Sequence, residues 1–235
     1  MRDINLGVMN FGKLASKIPA QQNIVYYRRG FDELSLNITN ACPNACTFCI
    51  REIEAGGGVS NLYLVRDPSI EEINTAYNSE HAKIADEGIK LERVKICGYG
   101  EPVLRFNDLH PILENIRARG IPPKAIQLTT TGWPFFRFIS PDATPISKLK
   151  DSGLTDVYLS MSSPNKEVYN KLVRPGVTAC DENAFDDAIR FGEASRDAGL
   201  EVTLGFINLA HLDKNAAKAM AERMRVRYKI REFEG

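Results

Sequence analysis

Three cysteines have a spacing that allows their thiolates to bind one metal centre. Cys42, Cys46 and Cys49 form a Cys-x3-Cys-x2-Cys pattern, which a compact loop can bring together. Soft sulfur ligands select iron–sulfur clusters, zinc or Cu(I). Structural zinc normally has four protein ligands, yet Cys97 and Cys180 lie far along the chain and the three histidines are scattered. Three ligands leave one metal position open, which favours a catalytic centre over a structural one.

The chain around these cysteines alternates between strand-like and helix-like patterns. Alternation of this kind predicts crossover units and a parallel sheet. Six strand–helix steps suit an open barrel better than a closed eight-stranded one. We therefore expect an α/β fold, a partial (β/α)6 TIM-like barrel with an open parallel sheet in residues 31–235, preceded by residues 1–30 as an N-terminal lead-in or flap. The predicted strands are Leu34–Ile38, Val94–Cys97, Ala125–Thr130, Val157–Met161, Val202–Ile207 and Tyr228–Phe233.

The composition is typical of a globular domain in a reducing compartment. Thirty Lys and Arg residues balance thirty Asp and Glu residues, so no general nucleic-acid or membrane binding is expected. No segment approaches the roughly 18 consecutive apolar residues of a membrane-spanning helix, and no secretory signal is evident. Five cysteines, an odd number, do not resemble a disulfide framework. These features predict a cytoplasmic protein.

The cysteine segment resembles the radical S-adenosylmethionine (radical SAM) superfamily. The resemblance includes the aromatic Phe48 before the third cysteine and the location directly after the first predicted strand. It implies that Cys42, Cys46 and Cys49 hold a catalytic [4Fe-4S] cluster whose unique iron binds S-adenosylmethionine. One electron then cleaves this cofactor, and the resulting 5'-deoxyadenosyl radical abstracts hydrogen from a substrate. An oxygen-sensitive enzyme with ferredoxin or flavodoxin as electron donor is implied as well.

A glycine-containing turn follows the second predicted strand. From the residues alone, residues 98–102 are equally consistent with a simple strand-ending turn and with a binding loop. The turn resembles the superfamily's Gly-Gly-Glu-Pro motif, with Tyr99 where glycine is commoner. The resemblance implies that Tyr99, Gly100, Glu101 and Pro102 bind the cofactor. Glycine permits close approach of the main chain, and Glu101 would accept a charge-assisted hydrogen bond from the cofactor's ammonium group.

The ends of later strands supply further candidates for cofactor binding. Thr130 belongs to a segment similar to a Thr-Thr-Asn-Gly pattern of the superfamily, with Thr131 where asparagine is common. Side-chain alternation places Ser160 and Ser162 on one face of the fourth strand, where the resemblance implies contact with the cofactor's ribose or carboxylate. The alternative for Ser162 and Ser163 is capping of a helix after Pro164.

The fifth predicted strand ends in a segment that resembles the superfamily's adenine-contacting stretch. Ile207 is the candidate there, whereas Phe206 is expected in the barrel core.

Over the whole chain, the sequence is most similar to the TatD-associated radical SAM proteins. The matching stretches are residues 36–40, 49–51, 61–64 and 67–69. This resemblance implies a link to a TatD-type hydrolase but names no substrate, since substrate choice depends on loops that vary on a shared fold.

Several polar residues after strand ends could meet a substrate. Our hypothesis is that Arg51 and Arg174 bind an anionic group such as carboxylate or phosphate, the alternative being solvated surface charge. Asn208 and His211 have comparable positions in the sequence. Among the remaining thiols, Cys97 is expected to be a buried small hydrophobe, and Cys180 a bystander.

Two other functions compete with hydrogen abstraction from a substrate. One is a glycyl-radical-type activase that acts on a partner protein. The other is an iron–sulfur electron-transfer or carrier module. Such a module would need neither the turn at residues 98–102 nor six strand–helix units, and it would not convert the cofactor.

Overall fold

The computed structural model describes residues 23–51, 62–119, 123–176, 181–210 and 212–233. Seven strands form one sheet in the order of the sequence. The strands are β1 Val25–Arg28, β2 Glu33–Leu36, β3 Arg93–Ile96, β4 Ala125–Thr130, β5 Asp156–Ser162, β6 Glu201–Ile207 and β7 Arg227–Arg231. The helices are α1 Ile70–Asp86, α2 Phe106–Arg117, α3 Thr144–Asp151, α4 Lys166–Val173, α5 Ala184–Asp197 and α6 Lys214–Met224.

The direction of the strands confirms the predicted open α/β sheet. β2 to β7 are parallel neighbours and correspond to the six predicted strands. β1 is a seventh strand, which pairs antiparallel with β2 and comes from residues within the predicted lead-in. The division of the chain at residue 30 stays a prediction, and residues 1–22 lie outside the described part of the chain.

The last strand ends earlier than the sequence pattern indicated. β7 covers Arg227–Arg231 rather than Tyr228–Phe233. Its final partner is Ile207, the last residue of β6, so the described residues after Arg231 have no neighbouring strand with which to pair.

Side chains that alternate along the strands separate an apolar face from a polar one. Leu34, Leu36, Val94 and Ile96 are fully buried in a single core that includes the helices. The opposite face, here called the inner face, carries mainly polar side chains, as expected of a lumen rather than a packed interior. Its members include Ser35, Lys95, Gln127, Asp156, Tyr158, Thr203, Lys229 and Arg231.

Polar side chains cap the amino-terminal ends of α1 and α4. Ser69 and Glu72 form a capping box at the start of α1. Asn165 caps α4 by accepting a hydrogen bond from the Val168 amide. The alternative in which Ser162 or Ser163 caps this helix is therefore wrong, because the Ser163 hydroxyl accepts from the Asn165 amide instead, at 3.1 Å.

No helix within the described residues is long and apolar enough to cross a membrane.

Candidate functional site

The three clustered cysteines lie on the loop that follows β2, here called the cysteine loop, residues 37–51. All three thiols are free and partly buried. The pKa of Cys42 and of Cys46 is raised to about 12, mainly by burial, with a contribution from the neighbouring Cys49 thiol in both cases. Thiols of this kind become thiolates when a metal centre compensates their charge.

The chemistry of these three thiol donors fits an iron–sulfur cluster. In the described ranges, no three His, Cys, Asp or Glu side chains approach closely enough to hold one metal ion. In a [4Fe-4S] cluster each thiolate binds a different iron, so the sulfurs stand farther apart than around one zinc ion. Cys42, Cys46 and Cys49 therefore form a suitable set of ligands for such a cluster.

Main-chain hydrogen bonds fasten the cysteine loop to the end of α4. The Thr47 amide donates to the Leu172 carbonyl at 2.8 Å, and the Ala45 amide donates to the Arg174 carbonyl at 3.2 Å. Arg174 has a left-handed conformation, with φ 47°, that ends the helix and turns its carbonyl toward the loop. The Arg174 side chain is exposed, and its predicted role in anion binding stays a prediction.

A buried polar network connects the cysteine loop to the end of β4. The Trp133 indole donates to the Asn44 amide oxygen at 2.9 Å, and the Asn44 amide nitrogen lies 3.5 Å from the Thr131 hydroxyl. That hydroxyl donates to the Glu101 carboxylate at 2.7 Å. Asn44 and Trp133 were missed in the sequence because they are 89 residues apart. Thr131, which stands where the resembled Thr-Thr-Asn-Gly pattern has asparagine, thus makes hydrogen bonds to Asn44 and Glu101.

Glu101 is a buried carboxylate surrounded by donors. Its oxygens accept from the hydroxyls of Thr130 and Thr131, from the Thr131 amide at 2.8 Å and from the Val103 amide at 3.1 Å. Burial raises the pKa of Glu101, and the hydrogen bonds from Thr130 and Thr131 oppose that shift. Because these groups all donate, they favour the ionised carboxylate. Contact of Glu101 and Thr130 with a cofactor stays a prediction.

The glycine in the turn after β3 permits close contact with the cysteine loop. A Cβ atom on Gly100 would lie 2.3 Å from the Thr39 carbonyl oxygen and 2.6 Å from that of Ala41. The Glu101 amide donates to the same Ala41 oxygen at 2.7 Å. The turn at residues 98–102 and the cysteine loop therefore pack main chain against main chain.

Aromatic side chains surround this contact. The Tyr99 ring meets the Tyr63 ring edge-on with centroids 5.0 Å apart. Pro102 is buried at the start of a short 3-10 turn, and Phe48 is partly buried against the core.

The structure brings together three of the stretches that carried the finer resemblance, residues 36–40, 61–64 and 67–69. The Asn37 side chain donates to the Leu62 carbonyl at 2.6 Å, and the Asn40 side chain makes two hydrogen bonds with the main chain of Leu64. Thr39 donates to the Asp67 carboxylate at 2.9 Å. The signal in the sequence was the polar run directly after an apolar strand, but its partners became evident only in the fold.

Arg51 points into the cysteine loop. Its Nε donates to the Cys49 sulfur at 3.3 Å and a terminal nitrogen donates to the Asn40 carbonyl at 3.2 Å. The side chain is only partly exposed. The predicted contact of Arg51 with a substrate anion is untested, whereas its contact with a thiol of the loop is direct.

A β-bulge changes the predicted arrangement of serines at the end of β5. Ser160 pairs with Gly205 and Ser162 with Phe206, so the two serines face neighbours on opposite sides of β6. Ser162 has φ 59°, which breaks the regular alternation on which the expectation of a shared face depended. That expectation is wrong, while roles of either serine and of the buried Ile207 in cofactor binding stay predictions.

Two of the remaining candidates, Cys97 and Asn208, make contacts outside the cysteine loop. Burial raises the pKa of Cys97, whose sulfur is 3.6 Å from the Tyr26 hydroxyl. Asn208 donates to the exposed Glu232 carboxylate at 2.9 Å. Cys180 and His211 lie outside the described residues.

Comparison with known proteins supports the interpretation of the cysteine loop. The family described as the Radical SAM superfamily matches residues 36–224, which run from the last residue of β2 through the cysteine loop to the end of α6. A probable GTP 3',8-cyclase of Methanocaldococcus jannaschii is 36% identical over 151 residues, covering 64% of this chain and 43% of the relative. A second, from Sulfurisphaera tokodaii, is 31% identical and covers 80% of this chain and 51% of its own length. The chain thus spans about half the length of the curated relatives that it matches.

Solved structures share the fold at low sequence identity. Streptococcus suis SuiB bound to S-adenosylmethionine matches with a TM-score of 0.59 and 16% identity, over 95% of this chain and 42% of SuiB. HydG, a maturase of the [FeFe]-hydrogenase, matches with a TM-score of 0.57 and 16% identity, over 86% of this chain and 42% of HydG. Because the family match covers most of the chain, including the cysteine loop and β3 to β6, the chain belongs to the radical SAM superfamily of enzymes, which use a [4Fe-4S] cluster and S-adenosylmethionine.

Proposed function

We propose that this protein reductively cleaves S-adenosylmethionine and uses the resulting 5'-deoxyadenosyl radical to abstract hydrogen from a substrate. The observation that carries the proposal is the group of three free, partly buried thiols on one loop, which the family match covers. Cys42, Cys46 and Cys49 are the proposed cluster ligands. When bound, the cluster supplies the electron and the open iron position at which the cofactor is cleaved.

The residues around the loop would position the cofactor. Gly100 lets the turn approach the cysteine loop closely, so the main chain of Tyr99 and Pro102 borders the proposed site. Ser160 and Ile207 lie at the same carboxyl-terminal edge of the sheet, where α/β barrels build their sites. Phe48, Glu101, Thr130 and Ser162 complete the proposed set of cofactor-binding residues.

The names of the curated relatives suggest a first substrate to test. They are described as GTP 3',8-cyclases, and we infer that a purine nucleotide is a reasonable candidate for this chain. The matched region covers about half of each relative, so the inference extends to the shared barrel alone.

The proposal is tested by anaerobic reconstitution of the protein with iron and sulfide, followed by dithionite and S-adenosylmethionine. We expect mass spectrometry to detect 5'-deoxyadenosine and methionine. Replacing any of Cys42, Cys46 or Cys49 with alanine should abolish both products, whereas Cys97→Ala, outside the loop, should retain them. Formation of 5'-deoxyadenosine by all variants alike would contradict the proposal, as would tetrahedral zinc in the purified protein.

The same assay separates the alternative functions. An electron-transfer or carrier module would hold a cluster without converting the cofactor. A glycyl-radical-type activase would cleave the cofactor and leave a stable radical on a partner protein, detectable by electron paramagnetic resonance (EPR). A ferredoxin or flavodoxin as electron donor, a cytoplasmic location and a link to a TatD-type hydrolase remain parts of the proposal.

A further inference from the structure

The inner face of the sheet has compensated charges toward the amino ends of its strands. The buried Glu33 carboxylate lies 2.7 Å from the Lys95 ammonium group. Arg227, the first residue of β7, lies 3.6 Å from Asp156 and 2.8 Å from Glu201. Each cation here has an anion beside it, so this part of the face has little net charge.

Toward the carboxyl end of β7 the pattern changes. Lys229 and Arg231 are exposed, and within the described part of the chain neither side chain forms an ion pair. The inner face therefore carries two uncompensated positive charges near the carboxyl-terminal ends of the strands, the end of the sheet at which the cysteine loop also lies.

The strand register shows that both cations belong to the inner face. Lys229 pairs with Gly205, and Arg231 pairs with Ile207. The intervening Ile230 packs against the core on the helix side. Because side chains alternate along a strand, Lys229 and Arg231 point away from that core.

A tyrosine hydroxyl accompanies the two cations. The Tyr158 phenol ring crosses β6 at Gly205, where the lack of a side chain leaves room for it. A Cβ atom on Gly205 would lie 2.4 Å from the Tyr158 hydroxyl oxygen. Burial raises the pKa of Tyr158, and the charge of Arg231 acts on the same group in the opposite direction. The hydroxyl therefore lies within electrostatic reach of Arg231.

The charge of this group indicates which anion it fits. A phosphate monoester carries about −1.5 to −2 charges near pH 7, which matches two cations, whereas a carboxylate carries only one. The Arg231 guanidinium can bind two phosphate oxygens side by side, and the Lys229 ammonium and Tyr158 hydroxyl are further donors. We propose that Tyr158, Lys229 and Arg231, here called the β7 anion site, bind a phosphate group of the substrate.

The proposal rests on the proposed function only in assigning the bound molecule as substrate, and binding can be measured without cofactor cleavage. The probe is radiolabelled inorganic phosphate in equilibrium dialysis against the reconstituted full chain. We expect the Lys229→Gln/Arg231→Gln double variant to bind about tenfold more weakly or worse, because two charge-assisted interactions are lost. Tyr158→Phe and Gly205→Ala should weaken binding by a smaller factor, the latter by displacing the phenol.

The matched control removes two cations from the outer side of the molecule. Lys214 and Arg223 are exposed on α6, and Lys214→Gln/Arg223→Gln should leave phosphate binding within about twofold of the parent. The far-UV circular dichroism spectrum and basal 5'-deoxyadenosine formation should stay unchanged in the Lys229→Gln/Arg231→Gln double variant, which would show that its fold and cluster are intact.

Three results would overturn the proposal: phosphate binding unchanged in the β7 double variant, an equal loss in the α6 control, or acetate bound as tightly as phosphate. If the parent protein forms no 5'-deoxyadenosine, the proposed function is rejected, while the result on phosphate binding still stands.

Discussion

At the scale of single residues, Glu101 shows how one buried carboxylate can join separate segments of the chain through hydrogen bonds. Its four donor groups belong to Thr130 at the end of β4, to Thr131 directly after it and to Val103 in the 3-10 turn that follows β3. The carboxylate therefore joins segments that flank the cysteine loop. An amide in its place would present a donor to atoms that themselves donate.

We therefore expect Glu101→Gln to lower the free energy of unfolding by about 3 kcal/mol, which corresponds to roughly 6–12 °C in melting temperature for a chain of this size. Glu114→Gln, on the exposed face of α2, is the control and should have little effect. Thermal unfolding followed by circular dichroism measures both. Equal melting temperatures for the two variants would show that the Glu101 network contributes no stability.

Arg51 provides a residue-scale test of the cysteine loop. Hydrogen bonds to cluster sulfurs and nearby positive charge raise the reduction potential of iron–sulfur clusters. Because the Arg51 Nε donates to the Cys49 sulfur, Arg51→Gln should shift the cluster potential to a more negative value in an EPR-monitored redox titration. Arg66→Gln, which removes a surface cation paired with Glu72, should leave the potential unchanged.

The sequence-based hypothesis for Arg51 makes a different prediction for the same variant. If Arg51 binds a substrate anion, the glutamine variant should lose substrate turnover while keeping its cluster potential and cofactor cleavage. The two measurements therefore distinguish contact with the loop from contact with the substrate.

At the scale of elements, the fit between the turn at residues 98–102 and the cysteine loop depends on one missing side chain. A Cβ atom on Gly100 would clash with two carbonyl oxygens, and main chain cannot yield as a flexible side chain can. Gly100→Ala should therefore displace the loop and lower the iron content after reconstitution well below four atoms per chain.

Gly30→Ala is the matched control for this prediction, because a Cβ atom there would have no neighbour within 4 Å. Its iron content and melting temperature should equal those of the parent protein. A Gly100→Ala variant that takes up a full cluster would show that the loop tolerates a wider separation from the turn.

At the scale of the whole molecule, the core and the proposed cofactor site are separate. The buried core lies between the sheet and the helices, and the cysteine-bearing segment 42–49 contacts it through the partly buried Cys46 and Phe48 and through the hydrogen bond of Asn44 to Trp133. A chain of 235 residues can bury a large core without metal. Removal of the cluster should therefore leave a folded protein, unlike a small zinc domain.

This prediction is checked by far-UV circular dichroism and thermal unfolding before and after iron is chelated. We expect the same spectrum and a cooperative transition at a modestly lower temperature. A non-cooperative transition in the iron-free protein would mean that the cluster organises the fold as well as the chemistry.

How much was predictable differs between local and distant features. The six parallel strands followed from apolar runs of suitable length, and the Cys-x3-Cys-x2-Cys pattern identified the loop, because both depend on neighbours in the chain. The antiparallel β1 lies in a segment that was predicted only as an N-terminal lead-in or flap, since pairing depends on a partner strand rather than on local pattern. The bulge at Ser162 was missed for the same reason, as one extra residue in β5 reverses the expected face.

The sequence by itself determined the spacing of three thiols, the alternation of strands and helices, and the resemblance that connects them, since each of these is written in residues close together along the chain. Only the tertiary structure decided that Asn44 meets Trp133, that Arg51 faces Cys49 and that Lys229, Arg231 and Tyr158 share one face. The physical reason is that strand register and loop packing bring distant residues together, and neither can be read from spacing alone.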